Sequence, residues 1–230
     1  MSDEPSAWQL ILNGDPTLLA IVRLSLAVSL SAVALAALAG MPLGALLALT
    51  RFPARSALVV LLNALMGLPP VVVGLAVYLL LSRSGPLGAM GILFTPTAMV
   101  IAQTILIVPI IAALTRQTVE DLWVEYRDEL SAMDVSPAGR MTTLLWDARF
   151  SLLTALLAGF GRAAAEVGAV MIVGGNIDGF TRTMTTAVAL ETSKGNLPLA
   201  MGLGLILVVI VLAINAAAWG TRVWSERQAG

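Results

Sequence analysis

LSLAVSLSAVALAALAGMPLGALLALT, residues 24–50, decides what kind of molecule this is. It fills the 27 positions between Arg23 and Arg51 without one charged side chain. As a helix it would be about 40 Å long, the thickness of a bilayer with its headgroups. A helix that is apolar on all sides belongs in a large protein core or in a membrane, and 230 residues are too few for a core of that size.

The pattern recurs outward from this run. A second uncharged run of 27 residues lies between Arg55 and Arg83, and a third ends at Arg116. The third begins SGPLGAMGILFTP, residues 84–96, whose glycines and prolines read as a loop or re-entrant piece. Spans are expected at about 24–50, 57–82, 97–115, 150–174 and 197–221. The chain is 58% hydrophobic and 12% charged, with mean hydropathy +0.92, whereas a soluble domain carries about 25% charged residues. The expected fold class is therefore an all-α integral membrane protein, one multi-pass transmembrane domain over residues 1–230 with about five transmembrane helices. Cysteine and histidine are absent, which removes thiolate metal sites and the commonest general base. No metal site and no catalytic residue is expected. The first 16 residues are acidic, lack the positive n-region of a cleaved signal peptide, and are expected to stay attached.

Charge is concentrated in one insert, QTVEDLWVEYRDELSAMDVSPAGRMTTLLWDAR, residues 117–149, which holds ten of the 27 charged residues. Val119, Leu122, Trp123, Tyr126, Leu130 and Met133 recur at helical spacing and make one apolar face. Ser136 before Pro137 is an N-cap with proline at the first helical position, and Met141, Leu144 and Leu145 share a face beyond it. Two short helices joined by a turn follow. They would either lie on the membrane surface or dock into a soluble partner. Five spans put the termini on opposite sides. Arg51, Arg55, Arg116, Arg127, Arg140, Arg149, Arg222 and Arg227 collect on one side, against Arg83, Arg182 and Lys194 on the other. The positive-inside rule then places the N-terminus outside and the insert and C-terminus in the cytoplasm.

Within the spans, a few residues stand out. Arg162 and Glu166 are four apart, so they share a helix face and pair, either as an internal ion pair that fixes packing or as a gate near a solute path. Pro69 and Pro70 break the second span, and with Gly74 they line a path or merely fit packing. Gly174, Gly175 and Asn176 end the fourth span, as a helix C-cap or as a contact for an external protein. Asn63, Gln103 and Asn215 are expected to make interhelical hydrogen bonds.

Several strings resemble the permease subunits of ABC importers for molybdate, sulfate and tungstate. FGRAAAEVGAVMIVGGNIDG, residues 160–179, is similar to the segment after the cytoplasmic loop of that family, and TRTMTTAVALETSKGNLPLA, residues 181–200, looks like its tungstate branch. AGMPLG at 39–44, LPPVVVG at 68–74 and SGPLG at 84–88 also fit, so the resemblance covers about residues 17–225. The family's loop reads Glu-Ala-Ala-x-x-x-Gly. Here DELSAMD, residues 128–134, sits in the matching place, with Asp128 for Glu, Leu130 for Ala and Asp134 for Gly. The resemblance implies a subunit that couples to an ATPase through the loop, with Asp128, Glu129, Asp134, Ser136 and Arg140 for register and Met133, Val135 and Met141 for grip.

It further implies a homodimer in a prokaryotic inner membrane, a dimer of ATP-binding subunits below, and an external substrate-binding protein. Membrane lipid surrounds it and no nucleic acid is involved. The chain lacks a glycine-rich phosphate loop followed by Lys-Ser/Thr, so ATP-Mg belongs to the partner and no cofactor to this chain. The implied cargo is an oxyanion, tungstate or molybdate first, with sulfate or phosphate as the alternative. A membrane sensor or enzyme carrying a cytoplasmic helical hairpin is the rival from another class.

Overall fold

A computed structural model of the chain describes the backbone of residues 15–229 and the side chains of residues 15–220. The acidic stretch 1–14 and the side chains of Arg222 and Arg227, used above for orientation, lie outside the described residues. Among the described residues the chain is helical, with no strand. The helices are α1 (Pro16–Leu49), α2 (Arg55–Met66), α3 (Pro70–Leu81), α4 (Pro96–Ala132), α5 (Pro137–Asp147), α6 (Arg149–Ala164), α7 (Gly168–Gly174), α8 (Met184–Lys194) and α9 (Leu197–Ala229). Three are long and apolar enough to cross a membrane, and up to five spans result if each sharply bent pair of helices is one crossing.

α1 opens on Asp15, whose carboxylate accepts from the amides of Thr17 and Leu18 at 2.8 and 3.0 Å, with Pro16 at the first helical position. Its buried stripe runs Ala32, Ala36, Gly40, Gly44, Ala48. Small residues four apart let two helix backbones approach closely, and α4 fills that stripe. A Cβ built on Gly40 would stand 3.1 Å from the Val108 carbonyl oxygen and 3.2 Å from the Ala112 amide. One built on Gly44 would overlap the Ala112 carbonyl and approach Thr115 Cβ at 2.8 Å and the Arg116 amide at 2.9 Å. The α1–α4 pair is the spine, and Ile107 and Ile111 on α4 meet Phe160 and Ala163 on α6 in the core behind it.

The break expected at Pro69–Pro70 is present: the second span is two helices, α2 and α3, bent by 100° across Gly67–Pro69. Three expectations change. The helix of the third span does not stop at 115: α4 runs on through Arg116 to Ala132. The first helix expected in the insert is thus the end of a spanning helix: Val119, Leu122, Trp123, Tyr126 and Leu130 continue its 3.6-residue period without a break. The fourth span is broken at Ala165–Val167 into α6 and the seven-residue α7. Finally, α8 is an added helix. Thr183 precedes it, with its amide donating to the Thr186 hydroxyl at 3.0 Å, and Gly195 ends it at φ +81°. Met184 donates to Ser25 Oγ at 2.7 Å, so the chain dips back beside α1 before α8 turns it round. Gly174–Asn176 is a C-cap as one reading had it, with Gly175 at φ +72° and Asn176 at φ +49°.

Candidate functional site

The candidate site has two parts joined by one helix. The first is the insert. α4 ends with Asp134 at φ +50°, its amide donating to Ser131 O and the Val135 amide to Leu130 O, both at 3.1 Å. This is the Schellman arrangement, and Asp134 occupies the left-handed position that glycine usually takes. Aspartate tolerates that conformation better than most residues, so the turn survives the loss of the expected glycine. α5 then starts on Ser136, whose hydroxyl accepts from the Gly139 amide at 3.2 Å, with Pro137 first in the helix.

The hairpin is stiff. Val119 and Leu130 of α4 and Leu144 of α5 are buried against Ala45 and Ala48 of α1. Val135 and Met141 pack into that cluster, so two of the three grip residues are used inside the hairpin, while Met133 is 74% exposed. Arg140 donates through Nε to Val135 O at 2.8 Å and lies 5.5 Å over the Trp123 ring. Glu120 bridges Arg55 and Arg116 at the base. Asp121, Glu125, Asp128, Glu129 and Asp134 are exposed. The carboxylate of Glu125 first, then Asp147, partial burial and Glu129 push the Tyr126 phenol above its ordinary pKa. The hairpin thus presents a negative surface with Met133, Val124 and Trp146 exposed beside it.

The second part is a crossing of two broken spans. A Cβ built on Gly74 of α3 would stand 2.7 Å from Ala169 Cα on α7, and one built on Gly168 would stand 2.8 Å from Val71 Cγ2. Glu166, 3% exposed, sits in the break before α7. Its carboxylate accepts from Arg162 Nη1 at 2.6 Å and from the Ala169 amide at 2.9 Å, and Thr185 donates to its carbonyl at 2.8 Å. Pro69, Pro70, Gly74, Arg162 and Glu166 are therefore brought to one place. Arg162 and Glu166 pair as their spacing indicates, although the helix between them ends first.

Beside this crossing is a polar cleft that sequence reasoning missed. Ser25, Ser29, Gln103, Thr183 and Thr185 line it among apolar residues. Gln103 donates to Ala163 O at 3.1 Å, the interhelical bond expected of it, while its Oε1 is buried without a partner. The available signal was Ser25 and Ser29, two hydroxyls four residues apart in an uncharged run. Asn63 and Asn215 depart from expectation. Both are exposed, and Asn215 donates within its own helix to Val211 O.

α6 joins the two parts. It follows α5 at a 74° bend and buries Leu152, Ala155, Gly159, Phe160 and Ala163 along one face. Its 16 residues span about 24 Å, with the hairpin at one end and the Arg162–Glu166 pair at the other.

No family model matches the chain. It is 43% identical over 204 residues, 86% of its length and 88% of the relative's, to a Haloferax volcanii protein named "Probable anion ABC transporter permease protein". It is 39% identical over 93% of its length and 94% of the relative's to the "Tungstate uptake system permease protein TupB" of Peptoclostridium acidaminophilum. The protein of that name from Campylobacter jejuni is 36% identical over 90% of this chain and 86% of its own. These relatives are transport subunits and overturn the sensor or enzyme alternative: with identity sustained over nearly the whole helical chain, it belongs to the family of anion ABC-transporter permeases.

Proposed function

We propose that this chain is the membrane subunit of an ATP-driven importer for an oxyanion, tungstate before molybdate or sulfate. The observation that carries the mechanism is the single continuous helix between an exposed, charged hairpin and a crossing of two broken spans. In this reading residues 128–141 meet a separate ATPase that binds ATP-Mg. Asp128, Glu129, Asp134 and the exposed Met133 face it, while Ser136, Arg140 and Met141 hold the shape of the turn. Hairpin motion travels along α6 and shifts Glu166, whose carboxylate holds the start of α7 against Gly74 and the helix that begins at Pro69–Pro70. The hydroxyl-lined cleft is only about 10 Å³ in this structure, so it must widen to pass a dianion; hydroxyls suit that passage better than a fixed cationic trap, because tight binding inside the membrane would slow release. Selection then rests with an external binding protein.

Two copies would flank the path. Leu62 is the one buried residue of α2, and an exposed asparagine on α2 and another on α9 sit poorly in lipid. A second copy covering them takes both side chains out of lipid. The chain lies in the inner membrane with its N-terminus outside. An impermeant thiol reagent applied to intact cells is expected to label Ser84→Cys and spare Ser136→Cys. Labelling of Ser136→Cys from outside would reverse the orientation and remove the ATPase from the hairpin.

The function itself is tested by uptake in cells holding this permease with its own ATPase and binding protein. Tungstate uptake should saturate, vanish when this chain is deleted, and persist under excess sulfate. Equal competition by sulfate would refute the tungstate assignment; uptake unaffected by the deletion would refute the importer.

A further inference from the structure

The arginines at the junction of α1, α2 and α4 do more than mark a membrane face. Arg51, Arg55 and Arg127 line one cleft with Glu120, Leu49 and Trp123. Arg51 is exposed and has no partner among the described residues. Arg55 donates through Nε to Leu47 O at 2.7 Å and through Nη2 to Glu120, which leaves its other terminal nitrogen to the cleft. Arg127 is 58% exposed and lies 3.4 Å from Asp128, itself 91% exposed, a contact of little worth in water. With Arg116 on the far side of Glu120, four guanidinium groups face two carboxylates, one of them almost fully solvated. The cluster carries uncompensated positive charge.

Its position identifies the ligand. Leu49 ends the apolar run of α1, and Arg116 is the first charge after that of α4, so the cleft opens at the membrane boundary. Trp123 is an amphipathic ring suited to that depth. Helical side chains lean toward the N-terminus, which directs Arg127 back along α4 toward the bilayer. Leu46, one turn before Leu49, and Leu43 are exposed on α1, so an apolar surface leads into the cleft from the lipid side. Guanidinium groups bind phosphate oxygens in pairs, and basic pockets between helices at the cytoplasmic face recruit anionic headgroups.

We infer that this cleft binds the phosphodiester headgroup of an anionic phospholipid, with its acyl chains along Leu43 and Leu46. The lipid clamps the α1–α2 turn to the Glu120 base of the hairpin. A free oxyanion shares the headgroup chemistry but gains nothing from the adjoining apolar surface.

The test uses the full chain in nanodiscs of phosphatidylcholine with and without phosphatidylglycerol. Retained lipid is read by native mass spectrometry and stability by thermal unfolding. The wild type should retain phosphatidylglycerol selectively and melt higher in its presence. In Arg51→Gln/Arg127→Gln the retention should weaken about 30-fold, equivalent to about 2 kcal/mol for two arginines, with the melting point in pure phosphatidylcholine unchanged. Arg51→Lys/Arg127→Lys should fall between. Arg83→Gln/Lys194→Gln, at the opposite end, should behave as wild type. Equal retention by wild type and the glutamine variant overturns the proposal. So does displacement of the lipid by millimolar tungstate or inorganic phosphate, which would make this a free-oxyanion site. Unchanged lipid retention with lost binding of the ATPase subunit would make it a protein-docking surface and overturn it equally. If the double variant misfolds, Arg51→Gln alone decides, since that side chain is exposed and unpartnered.

Discussion

Gly44→Val lowers the stability of the folded permease by about 3 kcal/mol or more and removes most of the monodisperse protein, whereas Gly204→Ala leaves both unchanged or improves them. An alanine in place of glycine inside a helix gains about 1 kcal/mol from propensity alone. Gly204 of α9 has nothing within 4 Å of a built Cβ, so it reports that gain. At Gly44 the new carbon meets two backbone atoms on α4, the Ala112 carbonyl oxygen and the Arg116 amide at 2.9 Å, and also Thr115 Cβ at 2.8 Å. Backbone cannot rotate away, so the two helices must separate along the stripe from Ala32 to Ala48. Overpacking a well-packed contact costs typically 1–3 kcal/mol, and separation also weakens every small-residue contact along the stripe. Thermal unfolding in detergent and the elution profile measure both effects. A Gly44→Val protein that melts with the wild type would mean that α1 and α4 do not pack through these glycines.

The same pair shows what the sequence could and could not disclose. Charge-free runs are visible because each residue in a bilayer is selected singly for hydrophobicity. The spacing of Ala32, Ala36, Gly40, Gly44 and Ala48 was equally visible, yet it names no partner helix until α4 is in place. Pro69–Pro70 announced a break but not its 100° angle, which depends on what α3 packs against. The break at 165–167 has no such marker: Ala163, Ala164 and Ala165 favour continuing the helix. It forms because the Glu166 carboxylate takes the Ala169 amide and its carbonyl takes the Thr185 hydroxyl, a partner 19 residues away. The end of α4 was misjudged for the opposite reason. The first charge at Arg116 was read as the end of a helix, although the apolar period continues through Leu130, and Glu120 pairs with Arg116 one turn away. Where a span leaves the bilayer and where its helix ends are separate physical events.

Glu166→Ala is expected to cost about 3 kcal/mol and Glu166→Gln about 2. Removing one partner of a buried ion pair typically costs 3–5 kcal/mol. Glu166 is 3% exposed, but the Arg162 side chain is 28% exposed, so water rescues part of its charge and the lower end applies. The glutamine still accepts from the Ala169 amide and loses only the ionic bond; the alanine loses both, and a hydrogen bond is worth about 1 kcal/mol. Replacing Arg162 with methionine in the Glu166→Gln background removes the stranded charge and should bring stability within about 1 kcal/mol of wild type. Uptake separates packing from transmission. If α6 moves α7 through this pair, R162M/E166Q will be stable yet import at least tenfold more slowly than wild type, because α6 then slides past α7 without pulling it. Wild-type uptake by the stable double variant would reduce the pair to a packing device and leave the small-residue crossing of Gly74 and Ala169 as the link between hairpin and path.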